Sequence, residues 1–376
     1  MWLLGVVFLL SASSVLSETE CPTDQKVIAC YFSSWAIYRE DFATFSIDNI
    51  EPDLCTHVIY AFSGLSIYGG IEMLDPNNDA GGYKKFVALK EKNPCLKTLL
   101  AIGGWNQGSR PYSVMVSDSS YRKAFIESVL RLLAVYGFDG IDIDWEYPTE
   151  RGGILDDKTN FGLLLKELKE QLKKWDLLLT IAVPSSVPVA EHAYDLEAVK
   201  SSVDFVFIMG YDITPINSPV TGLISPMSEI SKIVDYWTLN VPSEKIILGV
   251  PAYARTFALE NNENFGLNAP TNGTGHAGLY TKENGFLSYY ETIMELKFSE
   301  YTVVSVEGEE NYYAYYNDQW ITYETDQNYE AKAKYAIEKK LGGMMVWSID
   351  TDDFAAYFNT TNFPIVNTIK NVLNNN

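Results

Sequence analysis

The stretch that decides the fold is FDGIDIDWEYP, residues 138–148, in which acidic and apolar side chains alternate. Successive side chains of a β-strand point to opposite faces, so Asp142, Asp144 and Glu146 share one face and the apolar residues between them share the other. Carboxylates rarely lie together in a core without a functional reason, because each one opposes the ionisation of the next. If the strand belongs to a closed sheet, its apolar face should pack under helices and its acids should point into the interior of the barrel. Asp139 is out of phase and is interpreted as structural.

Seven further apolar runs have the length of a strand, and helical patterns lie between them. With the acidic stretch, the strand candidates are 26–34, 55–63, 97–104, 138–147, 177–184, 203–212, 245–254 and 342–350. Their interiors are rich in Val, Ile and Leu, as expected of strands covered on both faces. Eight strands that alternate with helices predict a parallel sheet closed as a (β/α)8 TIM barrel. A doubly wound open sheet is the alternative, but no GxGxxG motif follows the first run.

One interval breaks this alternation between the seventh and eighth strand candidates. Residues 255–341 are too many for a single helical connection, and the part from Tyr280 to Tyr329 is dense in tyrosine. We predict a small α+β subdomain at residues 257–325, inserted into the last connection and forming one wall of a groove. A long disordered loop is the alternative, which the aromatic content disfavours.

The N-terminus carries a short apolar run rather than a membrane span. Residues 2–10 are apolar and lead into small residues, with Val15 and Ser17 at the positions that signal peptidase reads. We predict a signal peptide at residues 1–17, a mature chain at 18–376, and secretion to the extracellular space. No later run reaches about 18 apolar residues, so no membrane span is expected.

Composition narrows the partners and the redox chemistry. The net charge of −21 disfavours nucleic acid and anionic membranes as partners. Four cysteines in an oxidising compartment predict two disulfides, for which three pairings are possible. None of them forms a CxxC motif or adjoins a histidine, so no zinc or other metal site is expected. Asn272 and Asn359 begin sequons, which predicts two glycosylation sites.

Glu146 comes last among the alternating acids, at the C-terminal mouth where barrel enzymes place their chemistry. Three neighbouring carboxylates cannot all ionise freely, so at least one should carry a proton near neutral pH. A protonated carboxyl at a cleft is the general acid that a glycosidase uses against the leaving oxygen. A calcium site or a hydrogen-bonded core cluster is the alternative, but calcium loops need turns and glycines.

DGIDIDWE, residues 139–146, resembles the DxxDxDxE signature of glycoside hydrolase family 18, the chitinases and chitinase-like lectins. Nearly the whole mature chain is similar to animal chitinases, in family order, and the predicted insertion also resembles that of the family. The segments that carry the resemblance are CYFSSWAIYR (30–39), LCTHVIYAF (54–62), LKTLLAIGGWNQG (96–108), MGYD (209–212), GVPAYARTF (249–257), APTNGTGHAGLYTKENGFLSYYE (269–291) and GGMMVWSIDTDDF (342–354).

The resemblance implies a mechanism without a protein nucleophile, in which the substrate's own N-acetyl carbonyl attacks the anomeric carbon. Glu146 would protonate the glycosidic oxygen and later activate water. Asp144 would stabilise the oxazolinium charge, and Asp142 would share a proton with Asp144. Tyr211 would donate its hydroxyl to the acetamido oxygen. The anomeric configuration would be retained, and no cofactor is expected.

The resemblance also implies a groove that binds sugar rings on aromatic side chains. Trp347 would be its floor, while Trp35, Trp105 and Tyr147 stand at the ends of three other strand candidates. Further sugar contacts of the family match Tyr31, Gly104, Asn106, Met209, Asp212, Tyr253 and Arg255.

Three features depart from the family pattern. Residues 213–216 replace the His-Gly-x-Trp segment that related animal chitinases often carry, so an aromatic side chain on the leaving-group side is missing. Cys30 and Cys55 match the family's first disulfide, whereas the second has no cysteines here, which leaves Cys21 and Cys95 as a pair by counting. No Cys-rich chitin-binding module follows the barrel, which favours accessible chains over crystalline chitin.

The sequence thus predicts a secreted, monomeric, endo-acting chitinase that hydrolyses β-1,4-linked N-acetylglucosamine polymers and oligomers. A chitinase-like lectin that binds chito-oligosaccharide with weak catalysis is one alternative. Such lectins commonly lose the terminal Glu of the signature, which this chain retains as Glu146. An endo-β-N-acetylglucosaminidase is another alternative, disfavoured by the tryptophans and the long tyrosine-rich insertion.

Overall fold

The structure is a computed structural model that describes residues 21–22, 25–66 and 68–375; the predicted signal peptide lies outside them. Its strands are β1 Val27–Ser33, β2 His57–Leu65, β3 Ile71–Met73, β4 Lys97–Gly103, β5 Gly140–Asp144, β6 Leu178–Val183, β7 Phe205–Ile208, β8 Ile246–Pro251, β9 Tyr253–Leu259, β10 Thr271–Thr274, β11 Phe286–Ser288, β12 Thr302–Val306, β13 Asn311–Tyr316, β14 Gln319–Tyr323 and β15 Gly343–Trp347. Its α-helices are α1 Pro76–Val87, α2 Arg110–Ser117, α3 Ser119–Tyr136, α4 Asp157–Leu172, α5 Val187–Ala193, α6 Leu196–Ser202, α7 Met227–Asn240, α8 Tyr289–Phe298, α9 Asp326–Glu338 and α10 Pro364–Asn374.

Eight parallel strands form a closed barrel, which confirms the predicted TIM-barrel fold. They are joined in the order β1–β2–β4–β5–β6–β7–β8–β15, and β3 is an antiparallel hairpin partner of β2. β15 pairs with β1 from Gly343 opposite Val27 to Val346 opposite Cys30. This last pairing closes the ring and rules out the open doubly wound sheet.

The alternation of side chains along the barrel strands separates two cores. Outward residues such as Ile141, Ile143 and Trp145 are buried under the helices in the larger core. Inward residues such as Tyr31 and Phe207 fill the barrel itself. Because α2, α3 and α4 cover the outer face around β5, the inner face of β5 is left for its acids.

A second sheet lies between β8 and β15 in the sequence. It is antiparallel, in the order β10–β9–β14–β13–β12 with β11 also paired to β9, and it carries α8. Apolar clusters around Leu287 and around Trp320 stabilise it. A fully buried ion pair between Glu324 and Lys332 lies where β14 leads into α9, and the Lys332 Nζ donates to the Ser225 carbonyl at 2.7 Å. The division into a catalytic barrel at 18–376 with a subdomain inserted at 257–325 stays a prediction.

Two disulfides cross-link the N-terminal quarter of the chain. Cys30–Cys55 joins β1 to the residues before β2, and Cys21–Cys95 joins the start of the described chain to the residues before β4. Within the described residues, no helix is both long enough and apolar enough to cross a bilayer.

The two sequon asparagines differ in their surroundings. Asn272 is exposed on β10. Asn359 is partly buried, and its side-chain Nδ2 donates to the buried Asp353 carboxylate at 3.0 Å. Glycosylation of both stays a prediction.

Candidate active site

The acidic strand β5 ends earlier than the sequence pattern predicts. Regular pairing stops at Asp144, so Glu146 lies two residues beyond the strand rather than at its last position. The loop after β4 accounts for this. Gly103 has a φ of 119°, and a Cβ there would lie 2.2 Å from the Asp144 carbonyl oxygen. The Gly104 N–H donates to that oxygen at 2.9 Å, which holds the turn that carries Glu146 against the β4 loop.

Asp142 lies fully buried inside the barrel with one hydroxyl on each carboxylate oxygen. Tyr31 donates to Oδ2 at 2.7 Å, and Thr180 donates to Oδ1 at 2.6 Å. Burial raises the pKa of Asp142 to about 6, and these two hydrogen bonds act in the opposite direction. Tyr31 is 1% exposed and holds Asp142 in place, and its predicted sugar contact stays a prediction. Proton sharing between Asp142 and Asp144 stays a prediction.

Asp144 and Glu146 interact electrostatically at the mouth of the barrel. Burial, followed by the charge of Glu146, raises the pKa of Asp144 well above its ordinary value. Burial also raises the pKa of Glu146 to about 7, against a hydrogen bond from Tyr147 and the charge of Arg151. Because a second negative charge here would be poorly solvated, the pair holds at least one proton near neutral pH.

Two polar atoms at the mouth are free to bond a ligand. Among the described residues, none makes a hydrogen bond to the buried Asp144 Oδ1. The Tyr211 hydroxyl has the Met345 Sδ at 4.0 Å as its hydrogen-bonding neighbour, which is a weak acceptor. A ligand with one donor and one acceptor could therefore bond both atoms without breaking a strong protein hydrogen bond.

Three aromatic rings from adjacent strand ends stack at the mouth. Trp347 stacks on Phe62 with 5.6 Å between ring centroids, and Trp35 stacks on the same ring at 6.1 Å. Trp35 is 45% exposed, so this cluster presents a ring face to solvent. Sequence reasoning missed Phe62, although an aromatic side chain near the end of a strand candidate was a usable signal. Its stacking partners come from the segment after β1 and from β15, and only the closing β15–β1 pairing brings Trp347 beside it.

Trp105 is stacked by a cation rather than by another ring. It is 57% exposed, and the Arg151 guanidinium carbon lies 3.4 Å from its ring centroid. Arg151 Nη1 also donates to the carbonyl oxygens of Trp105 at 2.8 Å and Glu146 at 3.0 Å. Arg151 links the β4 loop to the turn that carries Glu146. The sequence carried no signal for it, since a loop arginine is normally solvated.

The segment after β7 and strand β9, which directly follows β8, contribute an ion pair and a second aromatic group. Arg255 donates through Nε and Nη2 to the two Asp212 oxygens, each at 2.7 Å. Tyr253 is edge-on to Tyr211 at 6.0 Å and stacks on Phe286 at 4.7 Å. This bidentate pair fixes the position of the carboxylate that directly follows Tyr211.

The short segment after Asp212 packs against the second sheet. Val220 forms an isolated bridge with Pro270, and Thr214 Oγ1 donates to the Leu223 carbonyl at 3.0 Å. Ile216 fills the space beside Gly285, where a Cβ would lie 2.7 Å from Ile216 Cδ1. The segment is therefore held in place by the second sheet with an aliphatic side chain in that contact.

The structure brings most of the predicted site residues to the C-terminal end of the barrel, at or just beyond the ends of its strands. These are Trp35, Gly104, Trp105, Asn106, Asp142, Asp144, Glu146, Tyr147, Met209, Tyr211, Asp212, Tyr253, Arg255 and Trp347. Asp139 lies at the other end of β5, where Lys90 Nζ and the Thr98 N–H donate to its carboxylate. Within the described residues, no group of three or more His, Cys, Asp or Glu side chains could hold a metal ion.

Comparison with known proteins decides the family. The model of the family described as glycosyl hydrolases family 18 matches residues 27–352. The chain belongs to this family. Probable chitinase 2 of Drosophila melanogaster is 38% identical over 382 residues, covering 94% of this chain and 78% of that protein. The family 18 chain is thus a glycoside hydrolase of the chitinase type.

Solved structures of family 18 proteins share the fold. The crystal structure of the Group IV chitinase of Ostrinia furnacalis has a TM-score of 0.91 and 39% identity, covering 93% of this chain and 100% of that one. Human YKL-39, described as a pseudo-chitinase with retained chitooligosaccharide binding properties, has a TM-score of 0.84 and 32% identity, covering 93% and 100%. The same barrel therefore occurs in enzymes and in a binding protein, so the fold alone does not decide between the two activities.

Proposed function

We propose that this family 18 protein is a secreted, endo-acting chitinase that cleaves β-1,4-linked N-acetylglucosamine chains with retention at the anomeric carbon. The observation that carries the proposal is the Glu146 carboxyl, whose pKa burial raises to about 7, beside Asp144, whose pKa is raised by burial and by the charge of Glu146. A carboxyl of that pKa holds its proton near neutral pH and can give it to a leaving oxygen.

The reaction begins when the acetamido carbonyl oxygen of the substrate attacks the anomeric carbon. Glu146 gives its proton to the glycosidic oxygen as the bond to that carbon breaks, and an oxazolinium ion forms. Glu146, now a carboxylate, takes a proton from water. The water oxygen then attacks the anomeric carbon from the side of the departed group, while the bond from that carbon to the acetamido oxygen breaks and the N-acetyl group is restored. Two inversions at one carbon give net retention.

Asp144 and Tyr211 serve the acetamido group in this proposal. The unpaired Asp144 Oδ1 accepts the acetamido N–H, and the Tyr211 hydroxyl donates to the acetamido oxygen. A carboxylate at Asp144 then offsets the positive charge of the oxazolinium ion. Asp142, held by Tyr31 and Thr180, raises the pKa of Asp144 by its own charge and shares the proton that Asp144 releases.

The sugar chain lies across the aromatic groups of the mouth. Trp347 supports the reacting ring, while exposed Trp35 and Trp105 present faces that fit the C–H faces of further pyranose rings. Asn106, Asp212, Tyr253 and Arg255 supply polar contacts in this proposal, and Tyr147 and Met209 supply partly buried ones. Exposed faces on two loops favour binding within a chain over capture of a chain end.

A chitooligosaccharide-binding protein without activity is the second candidate, and the similarity to human YKL-39 favours it. Retention of the complete acid set, Asp142, Asp144 and Glu146, favours the enzyme. Retention of Tyr211, which can polarise the attacking carbonyl, supports the same choice.

The test is hydrolysis of a fluorogenic chitobioside and chitotrioside by the purified wild-type protein, Glu146→Gln and Asp139→Asn. We expect turnover by the wild type and at least a roughly 1000-fold lower kcat in Glu146→Gln, because no acid remains. Asp139→Asn is the matched control, since it alters an acid of the same strand at the opposite end. Undiminished turnover in Glu146→Gln would refute the mechanism. If the wild type binds chitooligosaccharide without hydrolysing it, the second candidate, a binding protein, is correct.

The finer claims need separate measurements. Proton NMR of the first product formed from chitohexaose should show the β-anomer if configuration is retained. Internal cleavage should produce dimers, trimers and tetramers together, whereas release from one end gives a single size. Expression with and without residues 1–17 tests secretion, because only the complete chain should accumulate in the medium.

A further inference from the structure

One buried hydroxyl bonds both neighbours of the general acid. Ser109, at the start of α2, is fully buried. Its Oγ accepts a hydrogen bond from the Trp145 indole Nε1–H at 3.0 Å and donates to the Tyr147 carbonyl at 2.9 Å. Trp145 and Tyr147 are the residues on either side of Glu146. A single side chain thus fixes the backbone turn from which the Glu146 carboxyl projects.

The segment after β4 forms a second contact with the same turn, at the residue before Trp145. The Gly104 N–H donates to the Asp144 carbonyl at 2.9 Å. Residues 144, 145 and 147 therefore all form hydrogen bonds with the seven-residue segment 103–109. Glu146 lies between these anchored residues, and its side chain is the one that extends into the cleft. Trp105 lies on this loop, so the loop that presents a ring to the sugar also sets the position of the acid.

Packing leaves the Trp145 ring little freedom to compensate for a lost hydrogen bond. Tyr112 of α2 stacks on it at 5.1 Å with 16° between the ring planes, and Phe161 of α4 meets it edge-on at 5.4 Å. Removing the Ser109 hydroxyl would leave the buried Trp145 indole N–H without a partner, while the Tyr147 carbonyl would keep only the Glu150 N–H at 3.1 Å. The turn would have to shift to satisfy the indole N–H.

We infer that Ser109 is a positioning residue for Glu146: its hydroxyl holds the turn 145–147 at the place where the acid reaches the glycosidic oxygen. The inference rests on the proposed function and deepens it. General acid catalysis is sensitive to geometry, and a displacement of about 1 Å can lower a rate about 100-fold. The effect belongs to the chemical step, since Ser109 is fully buried and cannot touch the substrate itself.

The test compares wild type, Ser109→Ala and Ser109→Thr by steady-state hydrolysis of a fluorogenic chitotrioside, with thermal unfolding measured alongside. We expect Ser109→Ala to fold and to lower kcat about 10- to 100-fold with KM within about threefold. Ser109→Thr keeps the hydroxyl and should recover most of kcat. The alkaline limb of the kcat/KM profile should move to lower pH in Ser109→Ala, because a displaced acid is better solvated.

Ser113→Ala is the matched control. Ser113 lies one turn further along α2 and is also buried. Its hydroxyl donates to the Asp157 carboxylate at 2.7 Å and to the Ser109 backbone carbonyl at 3.3 Å, and to no atom of the turn 145–147. It should lose stability to a similar degree while kcat stays within about threefold. An equal loss of kcat in both variants, or an unchanged kcat in Ser109→Ala, overturns the inference.

Crystal structures of the wild type and Ser109→Ala give a readout that does not depend on turnover. The Glu146 carboxylate should move by at least about 0.5 Å relative to the barrel strands, which is the tolerance of a preorganised site. If the wild type does not hydrolyse chitotrioside, the proposed function fails, and this displacement still decides the inference. An unmoved carboxylate overturns it whether or not the protein is an enzyme.

Discussion

At the scale of single residues, Glu146 has a raised pKa chiefly because it is buried, while a hydrogen bond from Tyr147 and the charge of Arg151 act against burial. Its strand neighbours show the same principle with different outcomes. Asp142 receives a hydroxyl on each oxygen, whereas Asp144 keeps one oxygen unpaired. The three neighbouring carboxyls thus differ in pKa and in hydrogen bonding because each has different partners.

The pKa of Glu146 predicts how activity depends on pH. The acid must be protonated for the first step, so kcat/KM should fall about tenfold per pH unit once the pH passes about 7. Initial rates with the chitobioside between pH 4 and 9 check this. In Arg151→Gln the alkaline fall of kcat/KM should move to higher pH, because the substitution removes a positive charge that lowers the pKa of Glu146. A fall of kcat/KM that begins below pH 5 would contradict the assignment of Glu146 as the general acid.

The alternation of acids predicted the catalytic candidates from sequence alone, since period 2 is a local property of a strand. Residues that act by meeting other segments were not predictable in this way. Thr180 looked like one polar residue in an apolar run, and its role depends on the β5–β6 register, which places it beside Asp142. Ser109 and Arg151 looked like ordinary loop residues. Their hydrogen bonds join two strand ends that lie about 40 positions apart in the sequence.

At the scale of elements, the β4 loop sets where β5 stops. Strand candidates were located closely from apolar runs, but the predicted strand end at Tyr147 was too late. Gly103 and Gly104 bring the loop backbone against the Asp144 carbonyl, and this contact is invisible in the β5 sequence itself.

The close approach at Gly103 predicts that a methyl group there is not tolerated. A Cβ would lie 2.2 Å from backbone at a φ of 119°, so Gly103→Ala should lower the free energy of unfolding by at least about 3 kcal/mol. Urea unfolding measures it. Gly273→Ala is the control, with a φ of 110° but open space around its Cβ. It should cost about 1 kcal/mol. Equal losses would mean that backbone strain alone, and not the contact with Asp144, decides the cost.

At the scale of the whole molecule, a cluster of buried polar side chains connects the second sheet to the barrel. Lys332 Nζ contacts Glu324 and donates to the Ser225 carbonyl and hydroxyl, and Asn311 Nδ2 donates to Glu324 at 3.2 Å. These residues come from α9, β13, the end of β14 and the segment before α7. A buried ion pair of this kind constrains how elements meet more than it adds to stability.

Removing the lysine from this buried polar cluster should lower the free energy of unfolding. Lys332→Met leaves Glu324 buried without its cation, so the free energy of unfolding should fall by about 3–5 kcal/mol. Lys332→Met combined with Glu324→Leu should recover most of that loss, because no charge is left unpaired. Lys334→Met, in an exposed pair with Glu330, is the control and should change stability by less than about 1 kcal/mol. A double variant no better than Lys332→Met would contradict this account.

The raised pKa values of the barrel acids also predict how global stability depends on pH. Asp142, Asp144 and Glu146 bind protons more tightly in the folded protein than in the unfolded chain. Between about pH 4 and pH 7 the folded state therefore holds more protons, and stability falls as pH rises. The net charge of −21 acts in the same direction. Tm should drop by roughly 5 °C from pH 5 to pH 8, and less in Glu146→Gln; a Tm that rises over this range would contradict it.

The barrel can close only after β15 has been synthesised, because its first strand pairs with its last. Ser33 at the end of β1 bonds Ser348, 315 positions later in the chain, with 3.1 Å between their hydroxyls. At roughly 5–20 residues per second, a ribosome separates the two by roughly 15–60 s. During that time the first strand has an unpaired edge, and Trp347 does not yet exist. A chain truncated before β15 therefore has neither a closed barrel nor Trp347, so we expect truncated products to be degraded rather than to retain partial activity.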